Sequence, residues 1–257
     1  MMGGLGKDTG ELIDRAVNRL LWKMGSRRRE VVTDTPLVTF TFDDVPDTAL
    51  SNGAGILERH DARGTFYIAG GLGSQVEADR TLISREGCRE LSLRGHEIGC
   101  HTFAHRKLRN LGGALRADLT RNEAYLREAG VEQPIRNFAY PFNAAWPPAR
   151  RALHARYATC RGAGEAINRG STDHLMLKGV EIRQPETHAR SLTRWIDDVA
   201  AEPGWLVFFT HDIAEVPTPF GCTPGTFEHL VSYAVAKGCR IVTVGEAVSL
   251  LGWENKR

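Results

Sequence analysis

Four groups of polar residues have types and spacings that could do chemistry. The first is Asp43-Asp44. Two adjacent carboxylates repel and lose solvation unless a cation sits between or beside them. Their side chains also point differently, so one can bind a metal while the other faces a substrate. Asp43-Asp44-Val45-Pro46-Asp47 is equally good turn chemistry. The second group is His101-Thr102-Phe103-Ala104-His105, which sets two imidazoles at i and i+4. In a helical turn both face one way, a spacing suited to a metal. The peptidase form of such a pair carries a glutamate after the first histidine, and Thr102 stands there instead. An isolated pair of this kind also occurs on ordinary surfaces. Asp44 with His101 and His105 makes two nitrogens and one oxygen, the donor set of a catalytic metal site that keeps a position for water. The third group is His211-Asp212, after an apolar run. A histidine there is commonly a satisfied core residue; at the mouth of a metal site it would serve as a general acid of near-neutral pKa. The fourth is Tyr140-Pro141.

These groups need a scaffold that brings residues 43 to 212 together. Strand patterns fall at Leu37–Phe42, Gly64–Ala69, Glu97–Cys100, Asn137–Tyr140, Tyr157–Cys160, Trp205–Thr210 and Arg240–Val244. Helical patterns lie at about 50–60, 78–94, 113–129, 146–156, 188–201 and 225–237. Runs such as Trp205-Leu206-Val207-Phe208-Phe209 do not alternate, as in strands buried on both faces. Strands alternating with helices predict parallel βα units, and about seven of them fit a distorted (β/α) barrel. All four polar groups then follow or end strands, where parallel α/β folds place their sites. Gly162–Asp173 reads as a long loop.

Residues 1–35 precede the barrel as an amphipathic helix and a basic connector; 36–257 form the barrel. Over 11–24, Ile13, Ala16, Val17, Leu20, Leu21 and Met24 share one face. Asp8 with Glu11 resembles a capping box, and Gly25 stops the helix. This helix suits a membrane surface or a partner. With Glu11 and Asp14 on its polar face, packing on the domain or on a second copy, giving a homo-oligomer, is the preferred reading.

In 257 residues, 42% are hydrophobic and 25% charged, which excludes disordered and collagen-like classes. Lys plus Arg number 33 against 31 acidic residues, so the net charge of +2 gives no argument for nucleic acid. The five cysteines form no C-x-x-C pair and read as reduced thiols. No transmembrane run and no signal-peptide core is seen, which predicts a cytoplasmic protein.

Thr41-Phe42-Asp43-Asp44, His101-Thr102-Phe103-Ala104-His105, Phe138-Ala139-Tyr140-Pro141-Phe142-Asn143 and Phe209-Thr210-His211-Asp212 resemble, in order and approximate spacing, the motifs of the polysaccharide deacetylases (carbohydrate esterase family 4, the NodB-homology domain), in their Phe-Ala-Tyr-Pro sub-group. Gly64-Thr65-Phe66-Tyr67-Ile68 and Ile241-Val242-Thr243-Val244 resemble the family's second and last strands. The resemblance covers about 36–250. It implies a distorted (β/α) barrel and hydrolytic removal of acetyl groups from acetylated amino sugars in an oligo- or polysaccharide. It also implies one divalent metal ion, zinc in the first place, with Co2+, Mn2+ or Ni2+ supporting some members. By position, Asp43 resembles the base, Asp44, His101 and His105 the metal ligands, the Tyr140 N–H the oxyanion donor and His211 the acid. Phe209, with Trp205 or Phe208, and Pro141 would line the substrate pocket. Two departures stand out. The family's Asp-Asp-Gly-Pro reads Asp43-Asp44-Val45-Pro46, and its Arg-x-Pro-Tyr-Gly reads Asn137-Phe138-Ala139-Tyr140-Pro141, so the motif Arg is missing. Arg161 could replace it, and Asp173 could serve the acid histidine. Two other functions compete. An aspartyl-nucleophile phosphatase needs Asp-x-Asp, and position 45 is Val. A carbohydrate-binding relic would not need the intact set of five side chains.

Overall fold

A computed structural model describes residues 5–188 and 190–254. In chain order the elements are α1 (Leu5–Met24), β1 (Arg28–Val31), β2 (Leu37–Asp43), α2 (Gly55–Arg59), β3 (Thr65–Ile68), α3 (Arg85–Leu93), β4 (Glu97–Cys100), α4 (Leu108–Leu111), α5 (Leu115–Glu128), β5 (Asn137–Ala139), α6 (Arg150–His154), β6 (Thr159–Ala163), β7 (Gly170–Asp173), β8 (Leu177–Glu181), α7 (Leu192–Ala201), β9 (Trp205–Thr210), α8 (Pro224–Ala236), β10 (Arg240–Ile241) and α9 (Val244–Leu250). Strands β2-β3-β4-β5-β6-β8-β9 pair in parallel, and β9 returns to β2 over the register Leu37↔Trp205 to Phe42↔Thr210. The result is a closed seven-stranded barrel wrapped by helices, the distorted (β/α) barrel the pattern predicts.

The two faces of each strand explain the composition of the runs. Val38, Phe40 and Phe42 of β2, Phe66 of β3 and Phe208 of β9 point outward to the helices. Phe42 stacks on Phe66 with ring centroids 4.4 Å apart, and Phe227 of α8 meets Phe40 edge-on at 5.3 Å. All five rings are fully buried, each contributing about 1.5–3 kcal/mol. The inward residues are more polar. At the lower end Glu97 accepts from Thr65 and Asn137, and Thr159 donates to Asn137. Burial raises the pKa of Glu97 against these bonds.

Several elements differ from their sequence patterns. The seventh barrel strand is β8, not the 240–244 segment. There, Arg240–Ile241 makes a two-residue pairing with Leu37–Val38, and Thr243 then caps α9 in a capping box with Glu246. Part of the expected loop 162–173 is strand: β6 runs on to Ala163, and β7 pairs antiparallel with β1, within the supposed basic connector. The helix expected from 78 starts only at Arg85, where Ser84 accepts from the Gly87 N–H. Residues 75–82 before it form a small hairpin.

Helix α1 starts at Leu5, so Asp8 and Glu11 lie inside it. Its inward face is Asp14, Asn18, Leu21 and Gly25; Ile13, Ala16, Leu20 and Met24 of the predicted apolar stripe face outward. Polar bonds decide this orientation. Asp14 pairs with Lys107 at 2.7 Å and Arg109 at 2.5 Å. The Asn18 amide donates to the Asn143 carbonyl at 2.7 Å and accepts from the Ala145 N–H at 3.2 Å. Among the described residues, no helix is long and apolar enough to cross a membrane.

Candidate metal centre and active site

The carboxyl ends of β2, β4, β5 and β9 deliver the site. Asp43 closes β2 and Asp44 follows it; His101 follows β4; Tyr140 follows β5; His211 follows β9. Six of the nine described non-glycine residues with left-handed backbone stand here: Asp44, Val45, Thr102, His105, Phe142 and Asn143. Left-handed backbone is costly for side chains with a Cβ and gathers where a constellation is held against local preference.

Asp44, His101 and His105 bring one donor atom each within 4.8 Å of one another. Asp44 Oδ1 lies 2.9 Å from His105 Nε2 and 3.6 Å from His101 Nε2. His101 Nδ1 donates to the Ala139 carbonyl at 2.9 Å, which turns the Nε2 lone pair toward the cluster. Burial pushes the His101 pKa down to about 4, so its imidazole is neutral. Burial works against the Asp44 charge, but His105, His101 and His211 outweigh it and hold that carboxyl well below the usual carboxylate range. Asp44 Oδ1 is buried and accepts no hydrogen bond. An orphaned carboxylate oxygen facing two imidazole nitrogens fits a divalent ion, with zinc-type N and O donors.

Around this cluster stand the other candidates. Arg161 of β6 is fully buried; one Nη donates to Asp43 Oδ1 and the other to Asn143 Oδ1 at 2.9 Å. The Phe209 ring packs under its guanidinium, with the Cζ 4.5 Å from the ring centroid. His211 Nε2 is 4.0 Å from Asp44 Oδ2, and its Nδ1 is 3.3 Å from the Phe220 carbonyl. Asp212 instead caps its loop, accepting from the Thr218 N–H and hydroxyl.

Four expected residues do not take the places or roles expected of them. Asp173 does not reach His211: its carboxylate pairs with Arg150 at 2.6 Å and accepts from the Leu175 N–H. Trp205 opens β9 at the opposite end of the barrel, bonded to Thr39 and packed on Trp253. It is four residues from Phe209, about 13 Å along a strand, and cannot share an acetyl pocket with it. Phe208 faces the helices. Tyr140 is the fourth. Its N–H donates to the Arg161 carbonyl at 3.0 Å, continuing the ladder, and its hydroxyl bonds to Leu175. That N–H is not free for an oxyanion. The Phe142 N–H has no acceptor among the described residues, and the Phe142 ring lies 4.7 Å from that of His105.

Residues 30–158 match the sequence family described as "Polysaccharide deacetylase". The chain belongs to the polysaccharide deacetylase family. A chitin deacetylase from Colletotrichum lindemuthianum is 28% identical over 236 residues, 86% of each chain. The solved structure of the chitin deacetylase from that fungal pathogen superposes with a TM-score of 0.57 at 20% identity, covering 85% of this chain and 90% of the other. A family 4 acetyl xylan esterase from Clostridium thermocellum, solved with a cobalt ion, gives a TM-score of 0.55 at 20% identity, covering 84% and 92%.

Within this polysaccharide deacetylase chain, the turn geometry also accommodates the Arg-x-Pro-Tyr-Gly pattern two residues further on, over Ala139-Tyr140-Pro141-Phe142-Asn143. Pro141 opens the turn, and Asn143, with φ of 52°, occupies the place of the glycine. The motif's Arg position is then Ala139, whose partner across the strands is Arg161. The guanidinium thus comes from the neighbouring strand at the same level. The hairpin 75–82 adds a residue that sequence reading placed in a helix. Arg80 is held by Glu77 at 2.6 Å and sets Nη2 3.5 Å from Asp44 Oδ2. Its only sequence signal is the three-residue spacing from Glu77.

Proposed function

We propose that the protein is a metal-dependent deacetylase, hydrolysing the N-acetyl groups of amino sugars in an oligo- or polysaccharide, with chitin-type oligomers the first substrates to try. The observation that carries this reading is the convergence, at one barrel rim, of Asp44, His101 and His105 with Asp43 and His211 on either side of them in the chain. A divalent ion on Asp44, His101 and His105, zinc in our reading, would supply Lewis acidity toward the acetyl carbonyl and lower the pKa of a water.

The protein's own groups complete the reaction. Asp43, oriented by Arg161, takes a proton as water oxygen bonds to the acetyl carbon. The Phe142 N–H is the donor for the carbonyl oxygen as it gains charge, a role for which it must be unpaired in the resting fold. The His211 Nδ1–H is directed at the Phe220 carbonyl, so Nε2 faces the site; in its imidazolium form His211 gives the Nε2 proton to the departing nitrogen and is left as the neutral Nδ1–H imidazole. The C–N bond breaks, leaving acetate and a free amino sugar. Phe209, packed under Arg161, Pro141 and the Phe142 ring beside His105 are apolar surfaces at this rim.

Metal analysis combined with acetate release from N-acetylglucosamine oligomers, peptidoglycan fragments and acetylated xylan tests the reading. Asp44→Ala and His101→Ala should lose metal and activity together. Asp43→Asn should keep its metal while kcat falls on the order of 100-fold or more. Normal kcat in Asp43→Asn removes that residue as base, and metal-loaded protein releasing no acetate from any of these substrates removes the function.

A further inference from the structure

The α1 helix turns to solvent the residues that a helix on a soluble domain normally buries. Leu12, Ile13, Leu20 and Met24 are 62%, 56%, 52% and 73% exposed. Ile13, Ala16, Leu20 and Met24 follow one another at three- and four-residue steps and form a single stripe. Arg15, Arg19 and Lys23, each four residues after the last, make an exposed basic row beside it, and exposed Arg27 extends the row past the helix. Within that row Arg15 alone has an ion pair among the described residues, a surface contact of 3.8 Å with Glu11.

The stripe cannot roll inward. The opposite face is fixed by Asp14 on Lys107 and Arg109, by Asn18 on the Asn143 carbonyl and the Ala145 N–H, and by the Trp22 indole on the Met176 carbonyl at 3.0 Å. The outward face is therefore a rigid, built surface. Its charge selects the occupant. A second copy docking about a twofold axis would set one basic row against the other, which like charges oppose. A surface of phosphates satisfies the bases and takes the apolar stripe at once. With its regular charges, the helix lies in such a surface and does not span it.

We propose that α1 docks the protein on an anionic phospholipid bilayer, with Ile13, Leu20 and Met24 at the acyl boundary and Arg15, Arg19 and Lys23 on the headgroup phosphates. The docked helix grips the segments 103–111 and 141–146 that carry His105 and Phe142, so docking holds the catalytic rim close to the lipid surface. The docking stands on the helix surface alone; only the placement of the rim rests on the proposed function.

Co-sedimentation of the full chain with vesicles tests it, using phosphatidylcholine alone and phosphatidylcholine with about 30 mol% phosphatidylglycerol. The protein should pellet with the anionic vesicles only. Arg15→Gln/Arg19→Gln/Lys23→Gln should weaken partitioning on the order of 100-fold, and Leu20→Glu/Met24→Glu should abolish it. Near-ultraviolet circular dichroism melts should be unchanged in both variants, because these side chains are exposed and their one polar contact among the described residues is the surface pair of Arg15 with Glu11. Absence of binding to either vesicle overturns the proposal, and so does equal binding to both. A dimer in sedimentation velocity that Leu20→Glu/Met24→Glu dissociates would show instead that the stripe is a protein interface.

Discussion

Arg161 and Asp43 form a buried ion pair whose two members come from strands on different sides of the barrel. Burying both charges costs desolvation, and removing one partner leaves the other uncompensated. Arg161→Met should therefore destabilise the protein by about 3–5 kcal/mol in urea unfolding. Arg161→Lys keeps the charge but cannot bond Asp43 and Asn143 together in fixed geometry, so kcat should fall with little change in KM. Ala139 and Arg161 are register partners, which allows a sharper test. Arg161→Ala should lose turnover, and adding Ala139→Arg should restore it at least roughly tenfold by returning the guanidinium from β5. No gain in the double variant would mean that Arg161 serves the fold and not Asp43. At this scale the Asp44, His101 and His105 cluster is legible in the sequence because residue type and order carry it. Sequence does not separate the Tyr140 N–H from that of Phe142, because only backbone bonding does so: the Tyr140 N–H is spent on the Arg161 carbonyl.

The turn Pro141–Asn143 and helix α1 act as one piece. Asn18 is buried and satisfies both the Asn143 carbonyl and the Ala145 N–H, while Asn143 in turn accepts from Arg161. Asn18→Ala leaves two backbone groups without partners, at a cost of about 1–3 kcal/mol. Calorimetry should show the lower Tm, and kcat should fall more than KM rises, since the loosened turn carries the Phe142 N–H and the Asn143 side chain. Unchanged kcat alongside a lowered Tm would confine Asn18 to stability. None of this was visible in helix periodicity, because Asn18 and Asn143 are 125 residues apart. The apolar stripe was legible; the bonds that turn it outward were not. The barrel strands β2 and β9 announced themselves as continuous apolar runs. Strand β8 did not, because no helix separates it from β6. The intervening chain makes a hairpin excursion through β7 to meet β1, and Lys178 and Gly179 break up its apolar run.

The closed barrel buries titratable groups far from the site, and these set how the whole molecule responds to acid. His96 precedes β4 and is fully enclosed: Nδ1 accepts the Gly64 N–H at 3.1 Å, and Nε2 donates to Glu58 at 3.0 Å. Burial pulls its pKa down from 6.5 to about 4, against the pull of Glu58. Glu58 is itself lowered to about 2, chiefly by its paired bonds to Arg94. Unfolded chains bind a proton on His96 near its ordinary pKa, whereas the folded protein does so only near 4. Stability from this residue is thus whole above about pH 6.5 and drains as pH falls through that window, by at most about 3 kcal/mol. Glu58 continues the loss below its ordinary pKa of 4.5, since the folded state then holds fewer protons than the unfolded one. Urea midpoints of protein stripped with chelator, which removes any separate effect of protonation at the candidate metal centre, should fall steadily between about pH 6.5 and pH 4. In His96→Gln the starting midpoint should be lower and the slope across that window shallower. An equally steep slope in the variant would place the acid sensitivity on other histidines, with His101 the next candidate because burial depresses its pKa to the same degree.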